Sequence, residues 1–270
     1  MSNTNNTARD ITTSGLSSLL TVVACSPLEV LKINAQVTPS TNSVRGMVVD
    51  IYKTHSPRGF YKGLGVSCLA QPSFWMFYWP IYNKLKANAI ETHGSFSTQN
   101  KMASVFIASL TGSMAVNPLF VFKTRFQTSV LKEPGTGQKI TYVGLARDIY
   151  QKEGIRGLYK GNFVAQIKNT QMVIQMPLYD YLNSQLQQPF VCGVLAKTIA
   201  SCVIYYPIDA IRTNIRDTVE NKSIVQTIRT IYKRPGGILN FYRGVGIYWL
   251  SAVPAFGLLV TLFEKMEKYF

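Results

Sequence analysis

Along the 270 residues, apolar and small side chains collect in six stretches separated by polar, basic segments. Three of them, residues 12–26, 101–117 and 191–206, carry almost no charge and each runs into a proline. The other three, residues 64–82, 162–179 and 245–263, follow a Tyr-basic-Gly triplet and are interrupted by Pro72, Pro80, Pro177 and Pro254. With the turns that follow the proline, stretches of the first kind reach the roughly 20 residues a helix needs to cross a bilayer. Proline inside a bundled membrane helix is tolerated because neighbouring helices satisfy the freed backbone groups. Between the two kinds lies one short amphipathic run per unit, at residues 46–55, 144–153 and 223–234. The pattern predicts an all-α membrane protein of six transmembrane helices, with a short surface helix in each of three units.

The units are copies of one another. Pro27-Leu28-Glu29-Val30-Leu31-Lys32, Pro118-Leu119-Phe120-Val121-Phe122-Lys123 and Pro207-Ile208-Asp209-Ala210-Ile211-Arg212 begin 91 and 89 residues apart. Tyr61-Lys62-Gly63, Tyr159-Lys160-Gly161 and Tyr242-Arg243-Gly244 follow those prolines by 34, 41 and 35 residues. Two motifs at three places in the same order mark an internal repeat. We divide the chain into a polar tail (1–8) and repeats at 9–95, 96–187 and 188–270. A soluble helical solenoid is the competing reading, but solenoid repeats are usually about 20–45 residues long and polar on one face.

Composition narrows the function. Charged residues are 15% of the chain, against about 25% in an average soluble domain. A mean hydropathy of +0.08 fits half-polar helices around a wet interior better than helices that all face lipid. The charge that remains is lopsided, with 28 Lys and Arg against 13 Asp and Glu, which points to an anionic partner. Cys25, Cys68, Cys192 and Cys202 have neither metal-finger nor paired spacing, so no metal and no cofactor is expected. The first ten residues lack a signal-peptide core, and targeting information is expected inside the chain. His55 and His93 offer no partner for nucleophilic or metal chemistry, so an enzyme is not expected. Nucleic acid is not expected either, since the basic residues are spread over three loop regions.

The triplicated Pro-x-acidic-x-x-basic motif resembles the signature of the mitochondrial carrier family, over about residues 9–267. The resemblance implies three helix pairs with pseudo-threefold symmetry about a water-filled cavity in the mitochondrial inner membrane, although some relatives act in peroxisomes. It also implies a monomer. Three proline-bent helices would converge at a matrix-side gate. Residues at i and i+3 share a helix face, and charge inside a membrane requires a partner. The resemblance pairs Glu29 with Lys123 and Asp209 with Lys32. The third link is missing, because Phe120 stands where an acid would meet Arg212, which is left to water, a substrate anion or an aromatic face. Gln36 and Gln127 would brace the pairs from beneath, with Arg216 at that place in the third repeat. On the cytosolic side the gate is thin: of Lys86, Asp180 and Glu264, only Glu264 to Lys86 is an expected pair.

Substrate contacts implied by the resemblance lie at Ala70-Gln71, Lys168-Asn169 and Ser251-Ala252. Lys168 is either a cavity-facing cation for a phosphate or carboxylate or a lysine reaching back to the interface. Lys197 carries the same alternatives. Trp75, Trp79 and Trp249 could stack on a base or serve as interfacial belts. The Tyr-basic-Gly corners, Lys62-Gly63, Lys160-Gly161 and Arg243-Gly244, together with Gly46 and Gly144, would cradle cardiolipin; loop-to-helix turns with a basic anchor are the alternative. Ser223 reads as the replacement for the third glycine. The stretch Asn117 to Arg125 is similar to carriers of pyrimidine nucleotides, folate, FAD and NAD. Transport of an anionic nucleotide or cofactor by alternating access is the expected function; a carboxylate carrier and a non-transporting relative are the alternatives.

Overall fold

The computed structural model of the chain describes residues 2–38, 43–132, 141–220 and 222–251, and all regular structure among them is helical. Helix α1 (Ser2–Val37) contains Pro27 and α4 (Thr98–Lys132) contains Pro118. Their counterpart in the third repeat comes in pieces: α8 (Pro189–Thr198), a π-helical segment (Ile199–Tyr205), and α9 (Tyr206–Asp217) with Pro207 in its first turn. Proline cannot donate to the preceding turn and crowds the carbonyl four residues back, and the wider π turn before Pro207 makes that room.

Each of these long helices is followed by a short amphipathic one. These are α2 (Val44–His55), α5 (Tyr142–Leu158) and α10 (Ile224–Tyr232). The second member of each pair is α3 (Leu64–His93) in the first repeat, and α6 (Asn162–Asn169) with α7 (Gln171–Leu186) in the second. In the third repeat the chain is helical over 245–251; Pro254 and Glu264 lie outside the described residues.

Three details depart from the expectations. Residues 2–8 are not a separate tail but the first turns of α1, since no Pro or Gly between Ser2 and Thr13 stops the helix. Ser223 does not stand in for a glycine. It caps α10 by accepting from the Gln226 N–H, while the Ser223 N–H donates to Gln226 Oε1, a capping box. Its counterparts are the N-cap residues Ser43 and Thr141, which places Gln226 opposite Gly46 and Gly144. Finally, three helical segments among the described residues are long and apolar enough to cross a membrane, Ile11–Val37, Thr98–Leu131 and Val191–Asp217. In the second repeat the second helix is divided at Thr170 into segments of 8 and 16 residues, each too short to cross a membrane alone.

Burial is inverted relative to a water-soluble protein. Leu16, Leu20, Val23, Leu69, Met76 and Met114 are exposed, whereas Ser17, Ser109, Ser113, Asn117 and Ser201 are buried. Small hydroxyl residues between helices let backbones approach closely in lipid. α1, α4 and α9 touch one another pairwise, α3 packs between α1 and α4, and α6 packs on α4 and α9. At the proline end Val30, Leu31 and Ala35 join Met47, Ile51 and Val130 in a small apolar core, which seats α2 against the ends of α1 and α4.

Candidate functional site

Just past the prolines, the three long helices bring their charges together. Asp209, with 3% of its side chain exposed, binds three cations: Lys32 Nζ at 2.5 Å from Oδ2, Arg212 Nη2 at 2.5 Å and Lys168 Nζ at 2.7 Å from Oδ1. Gln36 Nε2 donates to the same Oδ2 at 3.3 Å. Glu29 Oε1 meets Lys123 Nζ at 2.7 Å. Four cations therefore face two carboxylates. Lys32 also lies over the Tyr248 ring, 4.7 Å from its centroid, a favourable place for an ammonium with little water.

Arg212 is not left to water or a substrate. With no acid at position 120, it turns to the carboxylate one turn back on its own helix. Arg216 instead covers the aromatic side chain at that place, 5.6 Å from the Phe120 centroid, and donates to Asn117 Oδ1 at 2.7 Å. Gln127 is fully buried, but among the described residues neither its Nε2 nor its Oε1 has a partner, so no bond from it braces the Glu29–Lys123 pair there. Lys168 is joined directly to Asp209 rather than standing alone in a cavity, since an ammonium at this depth requires a counter-charge.

The sequence reading missed a second ring below the ions. The residue seven places after each proline donates to the backbone carbonyl of the residue nine places after the proline on the next long helix. Asn34 Nδ2 reaches Gln127 O (3.1 Å), Arg125 Nε reaches Arg216 O (2.8 Å), and Asn214 Nδ2 reaches Gln36 O (3.0 Å). Unlike the ionic ring, this one has all three links. The constant offset of seven was visible in the sequence, but two asparagines and an arginine do not look alike until their common acceptor is known.

The Tyr-basic-Gly corners lock the repeats together. Arg243 Nη1 donates to Thr38 O at 2.7 Å, at the end of α1. Lys160 Nζ donates to Thr218, Val219 and Glu220 carbonyls at 3.1, 2.6 and 3.2 Å, at the end of α9. Cations at helix C-termini satisfy orphan carbonyls and oppose the helix dipole. Lys62 lies 5.8 Å from the Phe126 centroid on α4. In this geometry Lys160 and Arg243 face the protein rather than a lipid headgroup. Gly161 has φ +69°, and a Cβ there would lie 3.2 Å from Arg216 Cγ; at Gly244 (φ +83°) it would lie 2.9 Å from the Tyr206 hydroxyl. Only glycine allows both the left-handed backbone and the close approach. The Gly46 N–H donates to Ser43 Oγ at 3.1 Å, an ordinary cap, and Gly144 occupies the same place after Thr141. Gly63 completes the set, against Gln127 and Phe126.

Repeat 2 adds an ionic clamp. Arg125 binds Glu153 through both terminal guanidinium nitrogens, Nη1 and Nη2, and Lys160 binds it at 2.6 Å. Burial would raise the Glu153 carboxyl, but hydrogen bonds from Arg125 and Lys160 hold it below its ordinary value. In repeat 1, His55 Nε2 meets Val130 O at 3.0 Å instead. In repeat 3 an arginine takes the acid's part: Arg234 Nη2 donates to Asn214 Oδ1 at 2.8 Å.

Of the expected substrate contacts, Asn169 is turned away. Its amide donates to Ser113 Oγ at 2.8 Å and to Gln166 Oε1 at 2.9 Å, which ties α6 to α4. Gln71 is half-buried on α3, and Ser251 Oγ donates to Tyr248 O at 2.8 Å. The Lys197 side chain lies outside the described residues, as does Glu264, the expected partner of Lys86. Lys86 itself lies 5.9 Å from the Phe96 centroid, and Asp180 is exposed.

Three tandem units are also what the comparison with known proteins finds. The chain matches the family described as Mitochondrial carrier protein over residues 3–93, 94–189 and 183–270. The chain belongs to the mitochondrial carrier family. Among its relatives is Nicotinamide adenine dinucleotide transporter 2, mitochondrial, of Arabidopsis thaliana, 27% identical over 90% of this chain and 74% of that protein. Nicotinamide adenine dinucleotide transporter 1, chloroplastic, of the same plant is 27% identical over 90% of this chain and 86% of its own length. The plant's Calcium-dependent mitochondrial ATP-magnesium/phosphate carrier protein 3 is 26% identical over 94% of this chain and 55% of its own. This mitochondrial carrier family member is thus a membrane protein whose relatives carry small solutes.

Proposed function

We propose that this chain carries an anionic nucleotide or nucleotide-like cofactor across the mitochondrial inner membrane, as a monomer working by alternating access. The observation that supports it most is the Asp209 cluster. Lys168 on α6 and Arg212 on α9 share Oδ1 of Asp209, at the convergent end of the three long helices. The two carboxylates leave the six-residue cluster with an excess of two positive charges, which an anion complements.

The same wiring supplies a mechanism. An arriving phosphate competes with Asp209 for Lys168 and Arg212. As it draws them away, Asp209 keeps only Lys32, and the matrix-side gate formed by Glu29, Lys32, Lys123 and Asp209 loosens. The substrate's differential affinity for the two states then shifts the conformational balance. No covalent step is required. Relatives named for NAD and for ATP-magnesium support the nucleotide class.

Uptake into liposomes holding the purified, folded protein tests this reading, with NAD, ATP, UTP, FAD and a set of di- and keto-carboxylates. Saturable uptake of at least one nucleotide is expected. Folded protein that moves only carboxylates, or none of the panel, overturns it.

A further inference from the structure

On α3, Gln71, Trp75, Tyr78 and Tyr82 recur at intervals of four, three and four residues, which places them along one side of the helix. Leu69, Met76 and Phe77, on the opposite side, are exposed as lipid-facing residues are. The flanks are fixed by contacts: Trp79 Nε1 donates to Ser14 Oγ on α1 at 2.9 Å, and a Cβ at Gly112 on α4 would lie 3.3 Å from the Phe74 ring. The side between those flanks and away from lipid faces the bundle axis. Its lower end lies by the charged cluster, since Cys68, three residues before Gln71, is within electrostatic reach of Lys123. Going up from there the rings are continuous. Trp75 meets Tyr78 edge-on at 5.4 Å, and Tyr78, itself buried between Phe74 at 5.9 Å and Tyr82 at 5.7 Å, supports the partly exposed Trp75 and Tyr82 rings.

We propose that Gln71, Trp75 and Tyr82, with the buried Tyr78 packed between the two rings, form a recognition subsite for the planar heteroaromatic base of the substrate, above the cations that take its phosphates. The inference rests on the nucleotide reading and narrows it: the base adds affinity and selects the substrate. Aromatic faces accept any base by stacking, and the Gln71 amide offers a donor and an acceptor to a base edge. Charge alone does not explain the stripe, because phosphates need only Lys168 and Arg212.

The test is thermal stabilisation of detergent-purified full-length protein by ATP against tripolyphosphate and by NAD against pyrophosphate, pairs in which one member lacks a base. The better nucleotide is expected to bind at least about tenfold tighter than its base-free counterpart, in line with one stacked base. Trp75→Leu is expected to erase that ratio while base-free binding changes less than about twofold, and Trp75→Phe to restore most of it. If Trp75→Leu does not fold, quenching of Trp75 fluorescence in a Trp79→Phe/Trp249→Phe background, by nucleotide but not by polyphosphate, carries the same information. Equal binding of nucleotide and base-free anion by the wild type, an unchanged ratio in Trp75→Leu, or no selective quenching overturns the subsite and leaves the anion carrier standing. No stabilisation by any phosphate compound overturns both.

Discussion

Neutralising either carboxylate of the charged cluster removes one negative charge, so Asp209→Asn and Glu29→Gln change the field felt by an arriving anion by the same unit. Their structural costs differ. Asp209 is 3% exposed and holds three cations, whereas Glu29 is 31% exposed and holds one. Removing one partner of a buried ion pair costs about 3–5 kcal/mol, because the other charge is left without compensation. A pair open to water is worth at most about 1 kcal/mol, and Glu29 lies between these limits. Asp209→Asn should therefore destabilise the protein by about 2 kcal/mol more than Glu29→Gln. For a chain of this size each kcal/mol moves the melting temperature by about 2–4 °C, so the two variants should melt about 4–8 °C apart. The four cysteines are free, so a thiol-reactive fluorophore can follow unfolding in detergent. Melting temperatures within about 2 °C of each other would refute the view that Asp209 is the hub of this end of the bundle.

The clamp on Glu153 predicts a pH signature. Because its carboxyl is held below the ordinary value, its contribution is complete above the unfolded-state pKa of about 4.3 and is lost as pH falls toward the folded value. The melting gap between wild type and Glu153→Gln should be constant from pH 8 to 5 and narrow below about 4.3; a gap that widens on acidification contradicts the clamp. Phe120→Glu should supply the missing acid beside Arg216 and Arg212, raising the melting temperature and slowing liposome uptake by about tenfold if the new link adds about 1.4 kcal/mol to the closed state. Faster uptake with a lower melting temperature would count against a gate at this end.

Much of the fold was legible because the three repeats state it three times. Prolines at a near-constant spacing marked the three long helices, and the family resemblance, not the spacing, paired Glu29 with Lys123 and Asp209 with Lys32, the two ion pairs the structure contains. What the sequence hid was competition among partners. Nothing in the spacing says that Lys168 and Arg212 share one oxygen of Asp209, because that depends on how close α6 stands to α9. Asn169 read as a polar group open to the cavity, and in the structure Ser113 on α4 takes it. For Lys160 and Arg243 the family resemblance implied a cardiolipin cradle, with a loop-to-helix turn and basic anchor as the alternative. Their actual acceptors are the carbonyl ends of α9 and α1, and no motif records a backbone carbonyl as an acceptor.

The bonds from Asn34, Arg125 and Asn214 to main-chain carbonyls bear on how such a chain can diverge. A carbonyl belongs to every residue, so no substitution at 36, 127 or 216 deletes the acceptor. Selection therefore has only the three donors to keep. The ionic layer above them shares the work of holding the helices with this ring, which is why α4 stays joined to α9 through Arg125 even though position 120 carries a phenyl ring in place of an acid.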